Sequence, residues 1–342
     1  MLRAIVVAAL LSPAVLASGE SVAWENPGHQ VVGKVADLIL EQHPATRDKV
    51  RLLLEGASLS EAAIWADCAK DAEAFCGRPP SQDELTFVRD NKDHRAFHYT
   101  DVPVQQTQYI LGTAGTAHND AVQIIRYAIR VLSNAAPEPG PANLDKKRSI
   151  WLLAHLVGDI HQPLHVGALF YDRKCQAKVD PNEYGAFHPE FGLGKTGLVA
   201  ETVGGNALLL TPWNNPFNNL HIFWDRTTVV DAMQAAGVPD QSVDAFAQEI
   251  VKNPPIGWET PGALDGWSRN WANEILPLAK EALDRVTIDK SVSLEPDKPH
   301  CQWQTSYDAS YRQWAQEQAR IQLGKAGFRL AELLRTIFEE QQ

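Results

Sequence analysis

The stretch His155-Leu156-Val157-Gly158-Asp159-Ile160-His161-Gln162-Pro163-Leu164-His165 decides how the chain is read. On a helix, His155 and Asp159 leave the same face one turn apart, because residues four apart are neighbours there. Pro163 cannot continue a helix, so the chain turns and brings His165 in from a second direction. A carboxylate flanked by imidazoles on two backbone directions is the donor set of a borderline-soft metal such as zinc. A single histidine here would read as a packed core residue; the group reads as a metal site.

Working outward, the same donor types recur. Upstream, Trp24-Glu25-Asn26-Pro27-Gly28-His29 leads into an apolar-periodic helix over 31–40, with His29 at its first turn. A helix over 59–70 carries Trp65-Ala66-Asp67 in its later turns. The segment 69–90, with Cys76, Gly77, Pro79 and Pro80, reads as an excursion rather than an element. Phe97-His98-Tyr99-Thr100-Asp101-Val102-Pro103 gives a short extended piece, and 120–132 is helical ahead of the central helix over 148–162. Downstream, 166–219 is mostly loop, except that 198–203 and 207–210 form a small hairpin about Gly204-Gly205. A helix starting near Asn219 presents His221 and Asp225, again four apart. Helices follow near 241–252, 267–284 and 308–338. The expected fold class is all-α: a single mostly helical domain over 24–342, with long loops and no extended parallel sheet.

Composition bounds the partners. The 342-residue chain is 44% hydrophobic and 21% charged, enough for a substantial core. A formal net charge of −11 argues against a basic nucleic-acid-binding surface. It leaves room for an anionic substrate, since bound divalent ions reverse the field locally. Arg3, the apolar run 4–16 and Ser21-Val22-Ala23 read as a signal peptide over 1–23, cleaved after Ala23, with a looser cut after Ala17. Later runs are too short to span a membrane, so no transmembrane anchor is expected, and the location is secreted or periplasmic. The four cysteines, Cys68, Cys76, Cys175 and Cys301, then form disulfides with three possible connectivities.

Nine candidate ligands emerge: Trp24, His29, Asp67, His98, His155, Asp159, His165, His221 and Asp225. Imidazoles and carboxylates without thiolate favour zinc in a hydrolytic role, with manganese and iron compatible by type. Trp24 enters because cleavage before it would leave a free amine beside its carbonyl.

The ordered set Trp24-x4-His29, Trp65-Ala66-Asp67, His98-x2-Asp101, His155-x3-Asp159-x-His161-Gln162-Pro163-Leu164-His165 and Asn219-Leu220-His221-x2-Trp224-Asp225 resembles the zinc-dependent single-strand-specific nucleases of fungi, plants and bacteria, as in a bacterial member. Gly327-Phe328-Arg329-Leu330-Ala331 resembles the family's final helix. The resemblance implies three Zn2+ ions in an all-α fold. By that carry-over, Asp67, His98, His155 and Asp159 hold one ion of a close pair. Asp159 bridges to the other, which His29 and the amine and carbonyl of Trp24 complete. His165, His221 and Asp225 hold the third.

The same resemblance implies cleavage of single-stranded RNA and DNA at the P–O3′ bond to give 5′-phosphate products. A 3′-nucleotidase activity is compatible with it, and neither an organic cofactor nor an oligomer is implied, so a monomer is expected. The related zinc phospholipases C, acting on phosphatidylcholine-type lipids, are the alternative. There the first His lies farther from the terminal Trp and the last ligand pair is His with Glu. One departure stands out: the Arg expected three positions after Asp67 is Lys70, which keeps the charge but loses the bidentate fork. By family comparison that residue sits near the scissile phosphate, paired with Asp101, so Lys70 and Asp101 are catalytic candidates beside Asp159. Lys70 and Tyr99 are the substrate-binding candidates, Tyr99 as a base-stacking surface. His161, between two ligands, reads as a supporting group and not as a tenth ligand.

Overall fold

Apolar faces at helical spacing fix where the helices form, and side-chain N-caps sharpen the start of several of them. In a computed structural model of the chain, residues 24–339 are described apart from 137, 173, 184–198, 216, 239–240 and 293–300. The expected signal peptide over 1–23 and residue 198 of the expected hairpin lie outside the described residues. Helices α1 (Glu25–Leu40), α2 (Pro44–Leu53), α3 (Leu59–Ala62), α4 (Trp65–Lys70), α5 (Ala72–Cys76) and α6 (Gln82–Asp90) precede α7 (Ala121–Leu132) and α8 (Lys146–Asp159). After them come α9 (Leu220–Ile222), α10 (Thr228–Ala235), α11 (Val243–Lys252), α12 (Trp267–Asp284) and α13 (Ala309–Glu339). The all-α reading holds: the chain is mostly helical and its strands are few and short.

The caps explain the boundaries. The Asp120 side chain accepts from Gln123 N and that of Asp145 from Arg148 N, starting α7 and α8. Ser81 and Glu84 form a reciprocal capping box that opens α6 inside the segment expected to be irregular, and Asp71 caps α5. The excursion over 69–90 is therefore partly helical. The helix expected over 59–70 is instead two pieces, α3 and α4. The break has a use, since it leaves the carbonyl of Ala63 to accept from His155 Nδ1 at 2.6 Å.

The expected hairpin about Gly204-Gly205 does not form. Strand β1 (Val102–Pro103) pairs in parallel with β2 (Gly167–Ala168), and β3 (Phe170–Asp172) pairs antiparallel with β4 (Val199–Glu201). Strands β5 (Leu208–Leu209), β6 (Thr287–Val292) and β7 (Gln302–Ser306) form a sheet in the order β5-β7-β6. The two arms flanking Gly204 thus belong to different sheets. Val203, Gly204 and Gly205 all have left-handed backbone (φ 51°, 53° and 88°), which sends the chain away from a hairpin return.

The main core lies where α1, α8 and α13 meet and includes Val31, Val35, Leu153, Leu156, Leu330 and Leu334. Glycine permits the closest approach: a Cβ on Gly327 of α13 would stand 2.5 Å from Val35 Cβ of α1. This packing buries the C-terminal half of α8, and with it His155 and Asp159. The disulfides are Cys68–Cys76, joining α4 to the end of α5, and Cys175–Cys301, tying a middle loop to the start of β7. Among the described residues, no helix is long and apolar enough to cross a membrane.

Candidate metal centre and cleft

Eight of the nine expected ligands, from six parts of the chain, converge in two neighbouring clusters, and Trp24 lies at the N-cap of the helix that carries His29. α1 carries His29, with Trp24 at its N-cap; α4 carries Asp67; α8 carries His155 and Asp159; and His98 ends a 3₁₀ turn over His94–His98. Asp159 is at the middle of the first cluster. Its Oδ1 lies 3.3 Å from His29 Nε2, while its Oδ2 lies 3.0 Å from His98 Nδ1 and 3.3 Å from His155 Nε2. Asp67 Oδ1 is 3.6 Å from His155 Nε2 and 3.8 Å from His98 Nδ1. The two oxygens of Asp159 therefore face different imidazoles.

The second cluster is His165, His221 and Asp225. α8 stops at Asp159, Pro163 opens a 3₁₀ turn, and His165 closes it. Asp225 lies in a π-helical turn, Phe223–Thr227, that follows α9, a local widening often found at functional sites. His221 Nε2 lies 3.2 Å from Asp225 Oδ2, and the rings of His165 and His221 are 4.7 Å apart.

Outer contacts decide which ring nitrogen faces inward. Nδ1 of His155, His165 and His221 donates to the carbonyls of Ala63, His98 and Gly204 at 2.6, 2.8 and 2.6 Å, leaving each Nε2 lone pair directed into its cluster. Gln162 Nε2 donates to Asp225 Oδ1 at 2.6 Å. Gly204 is needed for close approach as well as for its left-handed φ, since a Cβ there would collide with the Leu164 carbonyl.

The residues fit metal ions. Both ring nitrogens of His29, both oxygens of Asp67, Asp159 Oδ1, and the Nε2 atoms of His165 and His221 are buried without a hydrogen-bond partner. Buried polar atoms are seldom left unpaired, and here they converge with the donor chemistry of metal sites. One donor atom from each of His165, His221 and Asp225 lies within 4.8 Å of the others, as for His98, His155 and Asp159 and for His29, Asp67 and His155.

Electrostatics keep most imidazoles in the neutral, ligating form. Burial, reinforced by Lys70, lowers His98 to about 3; burial lowers His165 to about 4; burial and then His165 push His221 well below its usual range. His155 is the exception. Burial lowers it, but Asp159 and Asp67 more than offset this and raise it. Burial opposes ionisation of Asp159, yet its imidazole neighbours, His155 first, hold it well below the ordinary carboxylate range.

The clusters open onto a cleft of about 310 Å³ whose lining includes Lys70, Arg95, Tyr99, Asp101, Val203 and Asn206. Lys70 Nζ is 2.9 Å from Asp67 Oδ1, at an angle that leaves that oxygen without a hydrogen bond. The expected Lys70–Asp101 pair is not what the structure holds. Asp101 instead hydrogen-bonds Glu201, and burial raises Asp101 to about 6. Glu201, withdrawn from water and facing Asp101, is pushed well above its usual value. The two carboxyl groups face each other out of water, and both are held above the ordinary carboxylate range. Tyr99 is 40% exposed at the cleft, as a stacking surface requires.

His161 is buried with its ring turned away: Nδ1 meets the Val157 carbonyl at 2.7 Å and Nε2 meets Arg329 Nη1 at 2.8 Å. No ring nitrogen is left for an ion. Sequence reasoning missed Gln162, Glu201, Gly204 as the carbonyl that accepts from His221, and Arg95, whose guanidinium donates to the Lys70 carbonyl at 3.0 Å. Gln162 had a signal in its place between ligands; Glu201 and Arg95 had none, because only the fold brings them to the cleft.

Comparison with known proteins finds relatives over most of the chain. Endonuclease 1 of Arabidopsis thaliana is 24% identical over 341 residues, covering 95% of this chain and 91% of that protein. Endonuclease 2 of the same plant is 24% identical over 242 residues, covering 69% and 65%. Endonuclease 3 is 22% identical over 266 residues, covering 76% and 73%. The family model described as S1/P1 Nuclease matches residues 24–339, so the chain belongs to the S1/P1 nuclease family.

Proposed function

We propose that the chain is a zinc-dependent endonuclease that hydrolyses single-stranded RNA and DNA at the P–O3′ bond to give 5′-phosphate products. The observation that carries this is the convergence of buried, partnerless imidazole and carboxylate atoms on one cleft that also holds Lys70 and Arg95. Asp67, His98, His155 and Asp159 would hold one Zn2+; Asp159, His29 and the amine and carbonyl of Trp24 a second; and His165, His221 and Asp225 a third. Bound there, zinc supplies Lewis acidity for phosphodiester hydrolysis.

The protein's own groups do the rest. Lys70 places a cation beside Asp67 at the cleft wall and meets the phosphate charge. Asp101, buried against Glu201, orients water or a substrate donor at the cleft. Tyr99 takes an unstacked base, a contact that a stiff duplex does not offer. A signal peptide cut after Ala23 supplies the Trp24 amine, which makes export part of assembling the enzyme and places it in the periplasm or outside the cell as a monomer.

The test is to incubate the mature zinc-loaded chain with single-stranded RNA, single-stranded DNA, duplex DNA and phosphatidylcholine vesicles. Fragments with 5′-phosphate ends from the single strands, and phosphate released from a 3′-mononucleotide, are expected. Hydrolysis of the lipid with intact oligonucleotides would overturn the proposal in favour of a phospholipase C.

A further inference from the structure

The turn between Asp159 and His165 feeds both clusters, and it is held from behind by a residue far away in sequence. α8 ends at Asp159: Ile160 N still bonds to Leu156 O, four residues back, but His161 N and Gln162 N bond to Gly158 O and Asp159 O, three back, so the chain tightens there. The Val157 carbonyl is one of those a helix end leaves without an intrahelical partner. The His161 side chain fills that role through Nδ1, at 2.7 Å.

A proton on Nδ1 requires Nε2 to accept. Arg329 meets that need, because a guanidinium can only donate and its Nη1 lies 2.8 Å from Nε2. Arg329 is 1% exposed, and three more of its donors are held by the carbonyls of Trp258 (2.7 Å) and Gly257 (3.3 Å) and by Glu274 Oε2 (2.5 Å). Lys325 Nζ holds the other Glu274 oxygen at 2.7 Å. One residue further along the turn, Gln162 bonds Asp225, so the path from α13 reaches ligand candidates in both clusters.

We infer that Arg329 is a positioning residue for the metal centre: by fixing the His161 tautomer it caps α8 at Val157 and sets the spacing of Asp159 and His165. The inference rests on reading the two clusters as metal sites. Arg329 lies outside the cleft lining, so its effect falls on metal retention and turnover and not on substrate binding. Outer-sphere partners of metal ligands typically contribute 10–100-fold in affinity or activity.

The experiment compares zinc-loaded wild type, R329Q and R329K for zinc retained against increasing EDTA, for kcat and KM on an oligonucleotide, and for thermal midpoint. R329Q is expected to release zinc at about tenfold lower EDTA and to lose about tenfold in kcat, with KM within twofold. R329K, which keeps the charge and one donor toward His161, recovers part of both. Zinc retention and kcat of R329Q within twofold of wild type, with only the thermal midpoint lowered, would overturn the inference. Should R329Q not fold, 15N NMR of wild-type His161 decides: a proton on Nδ1 supports the inference, and a proton on Nε2, or on both nitrogens, overturns it. Wild type that never holds zinc would refute the proposed function instead, which keeps the two failures apart.

Discussion

The indole Nε1 of Trp24 donates to the carbonyl of Gly158 at 2.8 Å, which ties the start of α1 to the residue just before Asp159. Gly158 serves a second purpose here. A Cβ added to it would stand 2.9 Å from His29 Nδ1 and 3.3 Å from His29 Cε1. Gly158→Ala is therefore expected to push the His29 ring off its position. Overpacking of this kind costs about 1–3 kcal/mol. Thermal unfolding should show that loss, and zinc analysis should show depletion of the His29 subsite; full zinc content would contradict it.

Lys70 brings a cation to the first cluster, its Nζ 2.9 Å from Asp67 Oδ1. Burial works against ionisation of Asp67, but Lys70, followed by His155 and His98, keeps its carboxyl below the usual value. Lys70→Met removes that charge from both the carboxylate and the cleft. A drop of about 10²–10³ in kcat is expected, the range for removing one charge-stabilising group. Lys70→Arg should retain most of the rate. Steady-state kinetics on single-stranded DNA checks both, and equal losses in the two variants would remove charge as the explanation.

Tyr99 offers an exposed ring at the mouth of the cleft. Base stacking on an aromatic contributes about 1–3 kcal/mol by alanine substitution. Tyr99→Ala is expected to raise KM for a single-stranded oligonucleotide by about 5–100-fold. Turnover of a small phosphodiester without a base should change little. An unchanged KM for the oligonucleotide would assign Tyr99 to packing alone.

The metal-free chain should lose stability in acid. His98 and His165 sit at about 3 and about 4 when folded, against about 6.5 when unfolded. Between those values the unfolded chain binds more protons, so stability is full above about pH 6.5 and declines as pH falls towards 4. Asp159, depressed when folded, adds to the loss at the acid end, while raised His155 works the other way. The thermal midpoint of EDTA-treated protein, followed from pH 7 to 4, should fall, and His165→Gln should flatten the slope. A midpoint that holds steady or rises would show that these groups do not govern it.

The local part of this site is legible in the sequence and the long-range part is not. His155 with Asp159, and His221 with Asp225, are four apart on helical backbone, and Pro163 turns His165 inward, as spacing alone indicates. Asp67 and His98 could be nominated by type and resemblance, but only the packing of α4 and the 3₁₀ turn against α8 brings them to Asp159. The hairpin failed as a reading because alternation around two glycines does not reveal that Val203 also takes left-handed backbone. Likewise the run 59–70 is helical in propensity, yet a tertiary demand, the Ala63 carbonyl wanted by His155, accompanies its break into two. Glu201 reaches Asp101 through the pairing of β3 with β4, a register no local pattern specifies.

If Asp159 joins the subsites of a three-zinc centre, the number of bound ions depends on it. Elemental analysis of the mature chain after zinc loading and desalting should give three zinc ions per chain. Asp159→Ala, run alongside, should retain about one, held by His165, His221 and Asp225. One zinc or none in the wild type, or three in the variant, would contradict it.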